Sequence, residues 1–181
     1  MRSTFSVILG VLAVSLLASS SVCALPTWGD CILTVYGSSQ FVTLKPSYEA
    51  SGSGWIYTYV LDNTSTSDIT AFTLTLLPPC APASSCTTLD KPAGWVWLSF
   101  PSFNYLNGWN ATGDDIGPGQ TGTFKFSSPY GPSSDKPGDA SGQNALGFSG
   151  KCYAPIPEPT SLVALLAGIG GLVGFVTRRK A

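Results

Sequence analysis

Four cysteines, at positions 31, 80, 86 and 152, are the residues of this chain best equipped for covalent chemistry, and the sequence contains no histidine to assist them. That absence removes Ser-His-Asp and Cys-His catalysis together with histidine metal sites. Thiols can still pair with one another. An even set in a chain that carries an export signal, described below, points to disulfides before metal ligands. Three pairings are formally open. The favoured one joins Cys80 to Cys86 around the short loop CAPASSC, and Cys31 to Cys152 across the ends of the central domain. In the chain-entropy account a link between such distant positions stabilises by about 4–5 kcal/mol. A four-thiolate zinc site is the rival, but the sequence has no C-x-x-C pair.

Carboxylates offer less. Asp114 and Asp115, or Asp135 with Asp139, are the pairs that could act on a glycoside. Neighbouring residues point apart, however, and Asp in Gly/Pro-rich stretches is usually turn chemistry. The same acids could offer oxygens to calcium, but the EF-hand spacing is missing. The stretch GFSGKC at 147–152 lacks the first Gly and the final Ser/Thr of a phosphate cradle. No catalytic residue, metal or cofactor is therefore expected, and the chain reads as a non-enzyme. The aromatic set leaves room for a ligand. Trp55, Trp95, Trp97 and Trp109, with Tyr105 and Tyr130, could stack on sugar rings if exposed, although core packing is the plainer use of such large side chains.

The elements that would position these residues are short strands. CILTVYG, FVTL, WIYTYVLDN, ITAFTLTLL and GTFKFSS alternate between apolar and polar positions or are rich in β-formers, and Gly, Pro, Ser, Asn and Asp separate them. Tyr57, Tyr59 and Leu61 should share a face with Trp55; Phe72, Leu74 and Leu76 should oppose Thr73 and Thr75; Phe124 and Phe126 should point inward. GWVWLSF is apolar on both faces, which predicts a central or covered strand. ALGFSGKCYA would close the set. Residues 128–144, SPYGPSSDKPGDASGQN, hold little to bury and read as a long loop. The expected fold is mainly β, an antiparallel β-sandwich of Ig-like character, flanked by an N-terminal signal helix and a single C-terminal transmembrane helix.

Those flanks are distinct in composition. Met1-Arg2, a 14-residue apolar run and the small residues around Val22–Ala24 make residues 1–24 a secretory signal, cut after Ala24. A lipoprotein reading would instead acylate Cys23, but Ser20, Ser21 and Val22 do not supply the preceding pattern. Residues 25–154 form the domain. With five lysines, nine acids and no arginine it is mildly acidic, a poor partner for nucleic acid. Residues 155–181 carry Pro157-Glu158-Pro159, an apolar stretch from Ser161 to Val176, and the cations Arg178, Arg179 and Lys180. As a helix the stretch spans about 24–27 Å, close to the minimum for a hydrocarbon core of roughly 30 Å. The three cations would halt translocation and stay on the cytoplasmic side.

The order of motif, thin apolar span and basic end, in PEPTSLVALLAGIGGLVGFVTRRK, resembles the C-terminal sorting signal of PEP-CTERM proteins. The resemblance covers the tail alone. It implies recognition and removal of the tail by exosortase, an integral-membrane transpeptidase of bacteria that make extracellular polysaccharide. Pro157, Glu158 and Pro159 would then be recognition residues; the two prolines hold the segment extended and block helix there. The implied protein is exported and held in the inner membrane transiently, then placed at the cell surface or in the extracellular matrix. Its expected role is structural or adhesive, the alternative being a carbohydrate-binding module on exopolysaccharide.

Overall fold

A computed structural model describes residues 27–76, 85–99 and 106–156. Both expected membrane-reading segments, Cys23, Cys80, Tyr105, the Pro157–Pro159 motif and the basic end lie outside them. Among the described residues twelve strands run in chain order: β1 Cys31–Val35, β2 Phe41–Ser51, β3 Gly54–Asp62, β4 Ala71–Thr75, β5 Thr87–Asp90, β6 Trp95–Ser99, β7 Leu106–Ala111, β8 Thr121–Ser128, β9 Gly131–Pro132, β10 Gly138–Gln143, β11 Phe148–Cys152 and β12 Pro155–Ile156. Ten of them make one antiparallel sheet in the order β5-β8-β3-β2-β1-β11-β10-β4-β7-β6, and β9 pairs with β12. The two outermost strands, β5 and β6, follow one another in the chain, so the sheet curls towards a barrel-like outline.

Alternation builds the elements. In β1 Cys31, Leu33 and Val35 are buried between exposed Ile32 and Thr34, and β4 and β8 repeat that two-residue period. Tyr57, Tyr59 and Leu61 face inward from β3, as the pattern of WIYTYVLDN requires. The β2–β3 hairpin closes over two residues, with Ser51 paired to Gly54. Gly52 takes the first turn position with φ of 58°, the pattern of a type II′ turn and one that a side chain would oppose.

Aromatic rings join the two layers. Phe124 of β8 lies 5.0 Å from Phe72 of β4, 5.1 Å from Trp109 of β7 and 5.3 Å from Trp95 of β6. Phe126 stacks on Tyr57 and Tyr59 on its own side. Strands near one end of the hydrogen-bonded order thus fold over those near the other, and the inner faces interlock as in a sandwich.

Two expectations need correcting. Residues 128–144 are not a long loop: they contain β9 and β10, and β10 is an interior strand between β11 and β4. Its inward positions are Gly138, Ala140 and Gly142, and neighbours supply the missing bulk. A Cβ on Gly142 would collide with the Phe148 ring and the Ala71 carbonyl; one on Gly138 would meet Ala154 Cβ at 3.0 Å. Small residues are required there because the space is already occupied. The second correction concerns GWVWLSF. Its strand, β6, ends the sheet, with Trp95 turned into the core and Val96 outward and exposed.

Candidate functional site

The body brings its chemistry-bearing residues together at one corner, where the described chain starts and ends. Cys31 opens β1 and Cys152 closes β11. These strands pair antiparallel with Thr34 opposite Ser149, and the same register continued to the strand ends sets the two cysteines face to face. Both are fully buried free thiols: the expected disulfide is not formed in this structure, and Cys31 Sγ instead donates a hydrogen bond to Cys152 Sγ at 2.9 Å. Gly150 permits the close approach, since a Cβ there would lie 2.6 Å from the Ile32 carbonyl oxygen. The paired Cys152 thiol lowers Cys31 from the ordinary 9.0 to about 7, while burial pushes Cys152 far upward.

Aromatic residues gather at the same corner. Trp28 stacks on Tyr153 at 5.3 Å and on Tyr57 at 5.7 Å, and meets Tyr48 edge-on at 4.8 Å. Its indole Nε1–H donates to the Ser133 carbonyl at 2.9 Å. Lys136 Nζ sits 5.3 Å from the centre of the Tyr153 ring, a cation–π contact. Tyr59 donates its hydroxyl to the Tyr153 carbonyl at 2.9 Å and Tyr57 to the Tyr130 carbonyl at 2.6 Å. Burial raises both phenols well above the ordinary 10.0. The segment leading out is fastened as well: Ser133 N–H donates to the Ala154 carbonyl, and Pro155–Ile156 pairs with Gly131–Pro132.

The other expected site residues are dispersed. Trp95 and Trp109 are 1% and 0% exposed, so these two core rings offer no face to a sugar. Trp97 is half-buried, edge-on to Trp109 at 4.9 Å, and Trp55 is half-buried, edge-on to Tyr48 at 5.7 Å. Cys86 is half-buried just ahead of β5, and burial raises its thiol. Its favoured partner Cys80 lies outside the described residues, as do Pro157, Glu158, Pro159, Arg178, Arg179 and Lys180. The acids weighed as a pair have separate contacts. Asp139 pairs with Lys151 at 2.7 Å, Asp135 Oδ1 accepts the Lys136 backbone N–H, and the Asp114 carbonyl accepts the Trp95 indole N–H at 2.7 Å.

Sequence reasoning overlooked Trp28, Tyr48 and Tyr153. A signal was present, because Trp28 comes three residues before the first cysteine of the body and Tyr153 directly follows the last. The turn after β3 carries the glycosylation sequon Asn63-Thr64-Ser65. Asn63 is fully buried: its Nδ2 donates to the carbonyls of Ser67 and Ile116, and its Oδ1 accepts from the backbone and hydroxyl of Ser65. A side chain so committed pins the turn after β3 and leaves no amide free for a glycan.

No protein-family model matches the chain, and no curated protein matches it in sequence. Among solved structures it is similar to an uncharacterized protein from Nocardia farcinica whose crystal structure reveals an immunoglobulin-like fold. That similarity has 20% identity and a TM-score of 0.44, and covers 63% of this chain and 97% of the other.

Proposed function

We propose that this chain is an exported bacterial cell-surface or extracellular-matrix protein. Exosortase processes it at the tail, and its Ig-like sandwich has a structural or adhesive role. The carrying observation is the ordered succession of Pro157-Glu158-Pro159, apolar span and Arg178-Arg179-Lys180, opposite an N-terminal secretory signal. The body is compatible with that order. Its last strand, β12, ends at Ile156, so the motif follows directly in the chain where the described fold stops. Among the described residues, the buried core is drawn from residues 31–154, with Trp28 and Ile156 packed against it.

In this reading the inner membrane is a transient partner and exosortase a processing one. A carbohydrate-binding module contacting exopolysaccharide has less support, because Trp95 and Trp109 are used inside the fold. Intact-mass spectrometry of the protein from its native host tests the proposal. The expected mature species has lost residues 1–24 and the basic end; a species still carrying Arg178 to Ala181 would mean a permanent anchor. Replacing Glu158 by Ala should leave the fold intact and strand the precursor in the membrane, and normal processing of that variant would remove the recognition role.

A further inference from the structure

We propose that Cys31 and Cys152 are joined in a buried cross-strand disulfide that locks β1 to β11 at the corner where the sorting tail departs. Directly opposed antiparallel residues hold their Cα atoms about 4.5–5.5 Å apart, inside the span a disulfide bridges. Here the opposed side chains turn inward together, and their sulfurs lie closer than unbonded sulfurs normally rest, at 2.9 Å. Both sulfurs are fully buried and already in contact, so closing the bond moves little else at this corner.

The oxidant is a disulfide-bearing exchange partner, which the exported compartment supplies; in this respect the inference rests on the proposed export. One cysteine thiolate attacks that disulfide, forms a mixed disulfide and expels a thiolate. The second cysteine thiolate attacks the mixed disulfide at the first cysteine's sulfur and expels the other oxidant thiolate. Two electrons pass from the cysteine pair to the oxidant, and the two cysteine protons are released, so the balance is two thiols and a disulfide exchanged for a disulfide and two thiols. Neither sulfur is accessible in the finished fold. Exchange therefore precedes closure of β1 against β11, and folding seals the product from reductant.

The sequence permits a direct mapping. Full-length protein is blocked with an alkylating reagent without reduction, then cut with trypsin and a glutamyl endopeptidase. Cleavage after Glu49 and Lys151 places Cys31 and Cys152 in separate peptides, with Cys80 and Cys86 between them; in the full-length chain Cys23 shares the Cys31 peptide, and fragment ions tell the two apart. The expected product is a Cys31 peptide linked to a peptide beginning at Cys152, two hydrogens lighter than their sum. Mapping is done on protein from the native host and on full-length protein refolded in detergent with a reduced and oxidised glutathione pair. Linkage in the refolded sample alone would support the pairing and count against export. Free Cys31 and Cys152 in both samples, or Cys152 linked to the peptide holding Cys80 and Cys86, would overturn the pairing. As a second readout, dithiothreitol should lower the melting temperature of the wild type more than that of Cys31→Ala/Cys152→Ala, which keeps only the expected Cys80–Cys86 link; equal shifts in both would also overturn it.

Discussion

Strands β3 and β10 both lie inside the sheet, each hydrogen-bonded on two sides, yet they are built from opposite materials. β3 turns Tyr57, Tyr59 and Leu61 to the interior; β10 turns Gly138, Ala140 and Gly142. In β3 the strand's own side chains fill the core, and Phe126 stacks across two of its rings. In β10 the strand supplies backbone, and the volume above it comes from Phe148, paired directly opposite Gly142. The comparison shows that burial belongs to a place in the sheet and need not show in the strand that occupies it.

If that is right, the two regions should fail in opposite ways. Removing a ring from the filled side has the largest expected effect. Phe124→Ala, which empties the space between Phe72, Trp95 and Trp109, should cost about 3–5 kcal/mol in denaturant unfolding. On the glycine side the damage comes from addition. Gly142→Ala should cost about 2–3 kcal/mol, because the new methyl group meets both a ring and a carbonyl that cannot retreat. A neutral Gly142→Ala would break the comparison.

Alkali tests the filled side alone. Burial raises the Tyr59 phenol well above 10.0, and its hydroxyl donates to the Tyr153 carbonyl. A raised folded value means the stabilisation is complete below the unfolded pKa of about 10 and is lost above it. Each pH unit beyond that point should remove ~1.4 kcal/mol through Tyr59. The Tyr59 share of the tyrosine absorbance, read as wild type minus Tyr59→Phe, should accordingly rise only with unfolding, and its rise in the folded state at an ordinary pKa would contradict this burial. The smallest effect is expected outside the core. Ile32→Thr, on the exposed face of β1 at 56% exposure, should change stability by less than about 0.5 kcal/mol.

The contrast also explains what could be read from residues alone. Tyr57, Tyr59, Phe72, Leu74, Phe124 and Phe126 announce their faces through bulk at every second position, and the structure buries all of them. Gly138, Ala140 and Gly142 keep the same period, but glycine and alanine carry too little hydrophobic signal, so the segment resembled a loop. The edge position of β6 was hidden for a related reason. Trp95, Val96 and Trp97 look fully covered by composition, whereas only tertiary pairing decides which strand ends a sheet. At the candidate corner the cysteines were legible as chemistry. Their opposition was not, because it depends on the β1–β11 register. Trp28 lies outside every periodic run, and its place between Tyr57 and Tyr153 follows from the folded ends meeting.

That meeting of the ends bears on how the molecule carries load. Because β1 abuts β11, the strand that closes on the last cysteine, both leads leave the domain from one corner. A pull on the carboxyl lead and a pull on the amino lead arrive at the same few residues, Trp28, Cys31, Cys152 and Tyr153, and tension between the leads crosses one contact without running through the ten-stranded sheet.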